Sequence, residues 1–400
     1  MVVNRLIGGL MRCDMKNNNV KFREDGRVKL LIVVGTRPEI IRLSETIKKC
    51  RKYFDCILAH TGQNYDYSLN GVFFKDLELG LPDVNLSVAG ENLGETLGNV
   101  IEKSYGLISE IKPDALLILG DTNSCLSAIS AKRLHVPIFH MEAGNRSYDE
   151  RLPEETNRKI VDVISDVNLA YTENARRNLL SSGLENSRVF VTGSPMAEVL
   201  RKNIEKIDKS DILNRLGLKP KKYILLSAHR EENIDSEKSF FTLFESVNAL
   251  AEKYDMPIIY SCHPRSGKKL KETAFKLDER VVLSDPFGFH DYCALQLNSF
   301  AVVSDSGTLP EESAFFIKEG RPFAAVCIRE STERPEALEN GCFTLAGINK
   351  SGLLNAVDMA VKAIENNEIG SVPADYADEN VSDKTVKIIQ SMAQVLKKSH

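Results

Sequence analysis

Residues 120–158 read GDTNSCLSAISAKRLHVPIFHMEAGNRSYDERLPEETNR. Two short apolar runs frame this stretch, 115–119 just ahead of it and 136–141 inside it. Continuous apolar runs of that length are strands buried on both faces, as in a parallel sheet. An acid closes each run: Asp121, one residue past Gly120, and Glu142. Open parallel sheets bind ligands outside the carboxyl ends of their strands. Asp121 and Glu142 are therefore expected to face one crevice from two neighbouring strand ends. Glu154 follows Pro153, which suits the first turn of a helix, and should stand beside them. A single acid after a strand also looks like the N-cap of the next helix. Three acids with Gly120, Gly144, Asn145 and Arg146 packed around them favour a site, because glycines at strand ends let a ligand approach the backbone.

Outward from this stretch, strand and helix alternate in both directions. Strands are expected at 28–34, 55–60, 167–170 and 188–192, with helices at 38–50, 65–79, 95–111, 123–134, 153–165 and 173–182. Two helical pieces and the polar Lys219-Pro220-Lys221-Lys222 make 194–222 a join. The alternation then restarts, with strands at 223–227, 257–260, 281–283, 301–303 and 323–327 and helices at 236–253, 268–277, 289–298 and 309–317. Amphipathic helices at 350–365 and 383–398 end the chain. This is the pattern of α/β domains built on doubly wound parallel sheets. Four hundred residues make two of them, and a cleft between two such domains is a favoured ligand site. Residues 1–27 are polar and aperiodic, with no cleavage pattern of a secretory signal, and read as a disordered extension.

The composition is that of an ordinary globular protein, 42% hydrophobic and 27% charged with a net charge of −4. That balance gives no support to a nucleic-acid partner or a membrane surface. No apolar run approaches the ~18 residues of a membrane span. Eight cysteines occur without a CxxC pair, which suits reduced thiols in a cytoplasmic protein. The seven histidines form no metal-ligand cluster.

Further motifs sit at the other expected strand ends. Gly35-Thr36-Arg37-Pro38-Glu39 marks the first strand-to-helix turn, where free backbone N–H groups and the helix dipole attract an anion; Arg37 and Arg42 add positive charge, making a diphosphate site. Surface arginines on a solvated helix would look the same. His60-Thr61-Gly62-Gln63-Asn64-Tyr65-Asp66 reads either as the lining of a sugar pocket or as an Asx-capped turn. In the second half, His229 and Arg230 follow one strand and His263 the next. A histidine there can hold phosphate or pass a proton. Ser306, Gly307 and Thr308 precede a helix and make an anion cradle. Glu311 and Glu312 in its first turn suit the two hydroxyls of a ribose.

Taken together the motifs are specific. GTRPE at 35–39, HTGQNYD at 60–66, GDTNS at 120–124, MEAGNR at 141–146, PEETNR at 153–158, AHREEN at 228–233, SDSGTLPEE at 304–312 and RESTERPE at 329–336 resemble the non-hydrolysing UDP-N-acetylglucosamine 2-epimerases over about residues 28 to 395. Asn145 and the short 147–152 segment, with IIRLSE at 40–45 and HREENID at 229–235, resemble the branch that converts UDP-2-acetamido-2,6-dideoxy-L-talose to UDP-N-acetyl-L-fucosamine. The resemblance implies a glycosyltransferase-B-like pair of Rossmann-like domains, 28–200 and a UDP-binding 201–380, with a C-terminal helix, 381–400, returning to the first. It implies Asp121, Glu142 and Glu154 as proton-handling acids, assisted by His229. Arg37, Arg42, His229, His263, His290, Ser306, Gly307, Thr308, Glu312 and Arg329 would bind the UDP moiety. It implies no metal or redox cofactor, a homodimer, and service to capsule or O-antigen synthesis. The rival readings are the same enzyme acting on UDP-N-acetylglucosamine, a glycosyltransferase on the same fold, and a non-catalytic UDP-sugar sensor.

Overall fold

The computed structural model describes residues 20–62, 67–150, 152–234 and 236–397. Seven parallel strands form the first sheet: β1 (Lys29–Val34), β2 (Asp55–His60), β3 (Val84–Asn85), β4 (Ala115–Leu119), β5 (Ile138–Ala143), β6 (Val167–Ala170) and β7 (Val189–Val191), in the order β3-β2-β1-β4-β5-β6-β7. Six more form the second: β8 (Ile224–Ser227), β9 (Ile258–Ser261), β10 (Val281–Ser284), β11 (Ala301–Ser304), β12 (Ala325–Cys327) and β13 (Thr344–Leu345), in the order β10-β9-β8-β11-β12-β13. Helices cover both faces, so the central strands are largely apolar; every residue of β4 is buried.

Strand order reverses between β1 and β4 in one sheet and between β8 and β11 in the other. At such a switch point the loops leaving adjacent strands part to opposite faces and open a crevice. GTRPE follows β1, GDTNS follows β4, AHREEN follows β8 and SDSGT follows β11. The four motifs thus occupy the two switch points.

The helix Val381–Lys397 returns to the first domain. Its Val381, Val386, Ile389, Ala393 and Leu396 share one apolar core with Ile40, Leu43 and Ile47 of the helix Arg37–Tyr53. Lys49 pairs with Asp383 at 2.8 Å, and Glu198 accepts from the Ser382 backbone N–H at 2.8 Å.

Several expectations need correction. Residues 1–19 of the proposed extension lie outside the described residues, but the fold begins before Val28. Phe22 is buried against the β1–β2–β4 face, with Val20 beside it, and the Arg23 backbone N–H donates to Asp55. The expected helix at 123–134 divides into a 3-10 turn, Asn123–Leu126, and an α-helix, Ser127–Arg133. The helix expected from 268 starts at Pro264, where proline occupies the first turn and His263 Nδ1 caps it by accepting from Arg265 N. The two-residue strands β3 and β13 and the short helices Glu231–Ile234 and Pro335–Glu339 are too short to show a period. Residues 63–66 of HTGQNYD lie outside the described residues.

Gly144 carries the most constrained backbone near the site. Its φ is +80°, and a Cβ there would fall 2.3 Å from the Ala175 carbonyl oxygen. Both the left-handed conformation and the contact oppose any side chain. Gly144→Ala should lower the thermal unfolding midpoint, with a loss of about 2 kcal/mol or more; calorimetry checks it.

Candidate active site

β4 and β5 are neighbours, with Leu119 paired to Met141. Gly120 continues from β4 with φ +71°, and its N–H donates to the Met141 carbonyl at 2.9 Å. Glu142 closes the second apolar run in sequence, but the strand does not end before it. It lies within β5, where pairing with β6 slips between Met141 and Ala143 and the backbone takes φ +64°. Such a bulge re-aims one side chain, and a non-glycine residue at that φ costs ~1–3 kcal/mol of local strain. The Glu142 carboxylate packs over Gly120, where a Cβ would be 3.4 Å from its Oε2. Asp121, Glu142 and Glu154 all line one cavity of about 320 Å³ at the junction of the two domains. Glu154 reaches it from the first turn of the helix Pro153–Ile164.

The environments of Asp121 and Glu142 differ in sign. Burial pushes the Asp121 carboxyl above its ordinary range; Arg158 opposes this, while Glu142 and Glu333 add to it. Arg158, one helical turn beyond Glu154, donates one nitrogen to Asp121 and another to Glu155 Oε2 at 2.8 Å. Burial alone would raise Glu142 too. Arg42 and Arg334 outweigh it and hold Glu142 at about 2. Arg42 Nη1 donates to Oε2, and Arg334 Nη2 donates to Oε1 at 2.7 Å. Paired groups pushed apart in this way divide the acid and anion roles between them.

Among the cations, Arg37 lines the cavity and forms no ion pair among the described residues; its guanidinium lies 5.6 Å from the Phe73 ring centroid. Arg42 also lines the cavity, but its charge is engaged by Glu142 and, at 3.8 Å, by Glu311. It is therefore less available to a diphosphate than its sequence position implied. Gly307 lies between two guanidiniums: a Cβ there would be 3.3 Å from Arg230 Nη2 and 3.7 Å from Arg42 Nη2. Ser306 and Thr308 beside it join through their hydroxyls at 2.9 Å. All three line the cavity.

His229 and His263 reach the cavity from the ends of β8 and β9. His229 Nδ1 stands 3.0 Å from Asp305 Oδ1, while Asp305 Oδ2 accepts from the backbone N–H groups of His229 and Arg230 at 2.8 and 2.9 Å. Burial would raise Asp305, but His229 and Arg230 hold it well below the usual carboxylate range. A carboxylate on Nδ1 fixes the ring and leaves Nε2 for a ligand. Asp305→Asn removes that charged anchor, worth about 1.5–3 kcal/mol, and should lower kcat about 10- to 100-fold in a turnover assay. Burial lowers His263 to about 4, so it is a neutral ring at neutral pH.

Three residues expected at the site do not line this cavity. His290 stands near the start of a helix that packs on Met196–Asp208, and its Nε2 is 2.9 Å from Asn203 Oδ1. Glu312 accepts from Gln296 Nε2 at 2.6 Å in the helix layer behind the cradle, where burial raises its carboxyl. Arg329 forms a two-point pair with Glu333 at 2.7 and 3.0 Å. Conversely, Glu39, Arg158, Arg265, Glu333 and Arg334 line the cavity without having been assigned a role from the sequence, and Arg230, noted there only beside His229, joins them. Arg158 was legible four residues after Glu154. Glu39 is buried under the turn after β1 and accepts from Gly35 N, Thr36, Thr122 and Ser124, tying that turn to the one after β4.

Residues 48–390 match the family described as UDP-N-acetylglucosamine 2-epimerase. The chain belongs to the UDP-N-acetylglucosamine 2-epimerase family. It is a non-hydrolysing UDP-sugar 2-epimerase. The family member from Methanocaldococcus jannaschii named UDP-N-acetylglucosamine 2-epimerase is 34% identical over 349 residues, covering 85% of this chain and 94% of its own. The UDP-2,3-diacetamido-2,3-dideoxy-D-glucuronate 2-epimerase of Pseudomonas aeruginosa is 32% identical, over 80% of this chain and 88% of its own. Among solved structures, the UDP-N-acetylglucosamine 2-epimerase of Rickettsia bellii superposes with a TM-score of 0.85 at 43% identity, covering 93% of this chain and 98% of that one. The M. jannaschii enzyme in complex with UDP-GlcNAc and UDP gives 0.84 at 32% identity, covering 91% and 100%. These architectures are glycosyltransferase-B-like, as expected. No helix among the described residues is long and apolar enough to cross a membrane, and the seven cysteines among them are free.

Proposed function

We propose that the enzyme inverts C2 of a UDP-linked 2-acetamido sugar by elimination and re-addition. C2 is not adjacent to a carbonyl, so direct removal of its proton is too costly. If the C1–O bond to UDP breaks first, its electron pair leaves with the diphosphate and C1 gains oxocarbenium character. The C2 proton then passes to a carboxylate and a C1=C2 double bond forms. A proton returned to the opposite face, with the diphosphate oxygen re-adding at C1, completes the inversion. The observation that carries this reading is the placing of Asp121, whose carboxyl burial pushes above its ordinary range, and Glu142, held ionised between Arg42 and Arg334, in the same cavity. Asp121 and Glu154 are assigned as the proton carriers. Glu142, with both oxygens hydrogen-bonded, is the fixed anion that stabilises positive charge at C1. Arg37, His229 and the Ser306–Gly307–Thr308 cradle receive the leaving diphosphate. Enclosure between the domains keeps water from the glycal.

For the sugar we propose UDP-2-acetamido-2,6-dideoxy-L-talose, giving UDP-N-acetyl-L-fucosamine for a surface polysaccharide. The support is the resemblance at Asn145, whose side chain lies 3.5 Å from Glu142 Oε1, and in 147–152. The second reading, UDP-N-acetylglucosamine to UDP-N-acetylmannosamine, is favoured by the names of the relatives. Free cysteines fit a cytoplasmic enzyme, and the family resemblance supports a homodimer, which sedimentation checks. NMR of both sugar nucleotides incubated with the enzyme in D₂O tests function and substrate together. Deuterium is expected at C2 of substrate and product of one of them; turnover without deuterium at C2 would remove the elimination mechanism.

A further inference from the structure

Four charged side chains close into a ring across the domain junction. Arg42 and Glu142 come from the first domain, Glu311 and Arg334 from the second. Arg42 contacts Glu142; Glu142 accepts from Arg334 Nη2 at 2.7 Å; Arg334 Nε donates to Glu311 Oε1 at 2.8 Å; Glu311 Oε2 lies 3.8 Å from Arg42 Nε. The side chains of Arg42, Glu142, Arg334 and Glu311 are 8, 5, 3 and 1% exposed. Two positive and two negative charges alternate, so the ring is neutral, as a buried ionic cluster must nearly be. Arg334 lies with its guanidinium carbon 5.8 Å from the Tyr171 ring centroid, so an aromatic wall of the first domain seats a cation of the second.

We propose that Arg334 is a positioning residue: by docking on Glu142 when the two domains meet, it sets that carboxylate's charge and orientation, so the active site is completed only in the closed enzyme. This rests on the epimerase reading given above. Opening the cleft would withdraw Arg334 and Glu311 together, leaving Glu142 with Arg42, and the ring would reform only on closure. Closure then does more than exclude water. It places the second of two guanidiniums on the anion that faces the reacting carbon. The groups facing Glu142 support this division. Arg42, Arg158, Asp121 and Tyr171 all belong to the first domain and stay when the domains part, whereas Arg334, backed by Glu311, is the second domain's contribution. Burial keeps the Tyr171 hydroxyl neutral, so it brings no charge.

Removing only the Arg334 charge leaves two carboxylates on one guanidinium in a buried site, which takes up a proton. Removing the Glu311 charge as well restores neutrality. The test is therefore kcat against pH for wild type, Arg334→Gln, Arg334→Lys and the double variant Arg334→Gln/Glu311→Gln, with UDP-N-acetylglucosamine and UDP-2-acetamido-2,6-dideoxy-L-talose both offered. In R334Q the proton taken up by Glu142 should add a limb of its own that lies about one pH unit or more above the Asp121 limb of wild type, a tenfold loss per unit on that limb, and R334K and the double variant should return the profile to the Asp121 limb. A purely structural role does not predict recovery on removing a second charge. An unshifted limb in R334Q, or an equal shift in the double variant, would overturn the proposal. If R334Q does not fold by circular dichroism, the neutral double variant decides: a wild-type-like limb supports the proposal and a raised one overturns it. Absence of turnover by the wild-type enzyme would instead remove the epimerase reading itself.

Discussion

Asp121→Asn is expected to lower kcat by ~10²–10⁴ and to leave the affinity for UDP within about threefold of wild type. The size follows from what the substitution removes. Asparagine keeps the volume and can still accept from Arg158, so the pair joining the turn after β4 to the helix Pro153–Ile164 survives. Only the capacity to take and return a proton is lost. Glu142 cannot replace it, because both its oxygens are engaged by arginines. The pH profile separates this from a packing effect. Burial raises Asp121, so its base form is lost as pH falls through a value above the ordinary aspartate range. Wild-type kcat therefore falls on the acid side earlier than a solvent-exposed carboxylate would dictate, and the residual activity of the Asn variant lacks that limb. Glu142, held at about 2, contributes no titration near neutrality. Rate measurements by NMR across pH, with UDP binding by calorimetry, check both parts. A variant with wild-type turnover would take Asp121 out of the proton path.

Both sheets and most of the cavity were legible because their signals are local. A five-residue apolar run such as Ala115–Leu119, closed by glycine and too short for a buried helix, reads as a strand buried on both faces. A motif at its end must then lie on the ligand edge, and the topology places four such motifs at the two switch points. Other features were set by tertiary contacts that leave no period in the sequence. The bulge at Glu142 depends on how β5 pairs with β6, which a single run of residues does not show. The charge states were illegible for the same reason. That Arg42 is tied to Glu142 and Glu311 while Arg37 is left to face the cleft follows from where those two carboxylates, one from each domain, come to lie. Glu312 and Arg329 were placed by their motifs on the correct segments, but a partner on another helix turns the first away and an acid four residues on engages the second. Sequence positions identified the loops; the packing of one domain on the other decided which side chains on them meet.

Arg37→Met should cost ~10²–10³ in kcat. In this cavity Arg42 and Arg334 share Glu142 and Glu311 and Arg158 holds Asp121, while Arg329, outside its lining, holds Glu333. Each of those guanidiniums is balanced by a carboxylate before any ligand enters. Arg37 has no carboxylate partner among the described residues, and burial disfavours its charge. A half-buried cation with no carboxylate partner is costly to the resting protein and gains most when an anion arrives. Negative charge on the diphosphate grows as the C1–O bond breaks, so the gain is larger in the transition state than in the bound substrate, and that difference is what accelerates the step. Methionine keeps the apolar stem over Phe73 and removes the charge, so the loss should appear chiefly in kcat, with a smaller rise in KM. Arg37→Lys should recover part of the rate, since a point charge restores attraction without the planar fork. Product analysis gives a second reading. With the leaving group less stabilised, formation of the glycal slows, and the deuterium entering C2 should fall in step with turnover. Deuterium exchange that continued at the wild-type rate while epimerisation slowed would place Arg37 on the return of UDP to C1 and not on its departure.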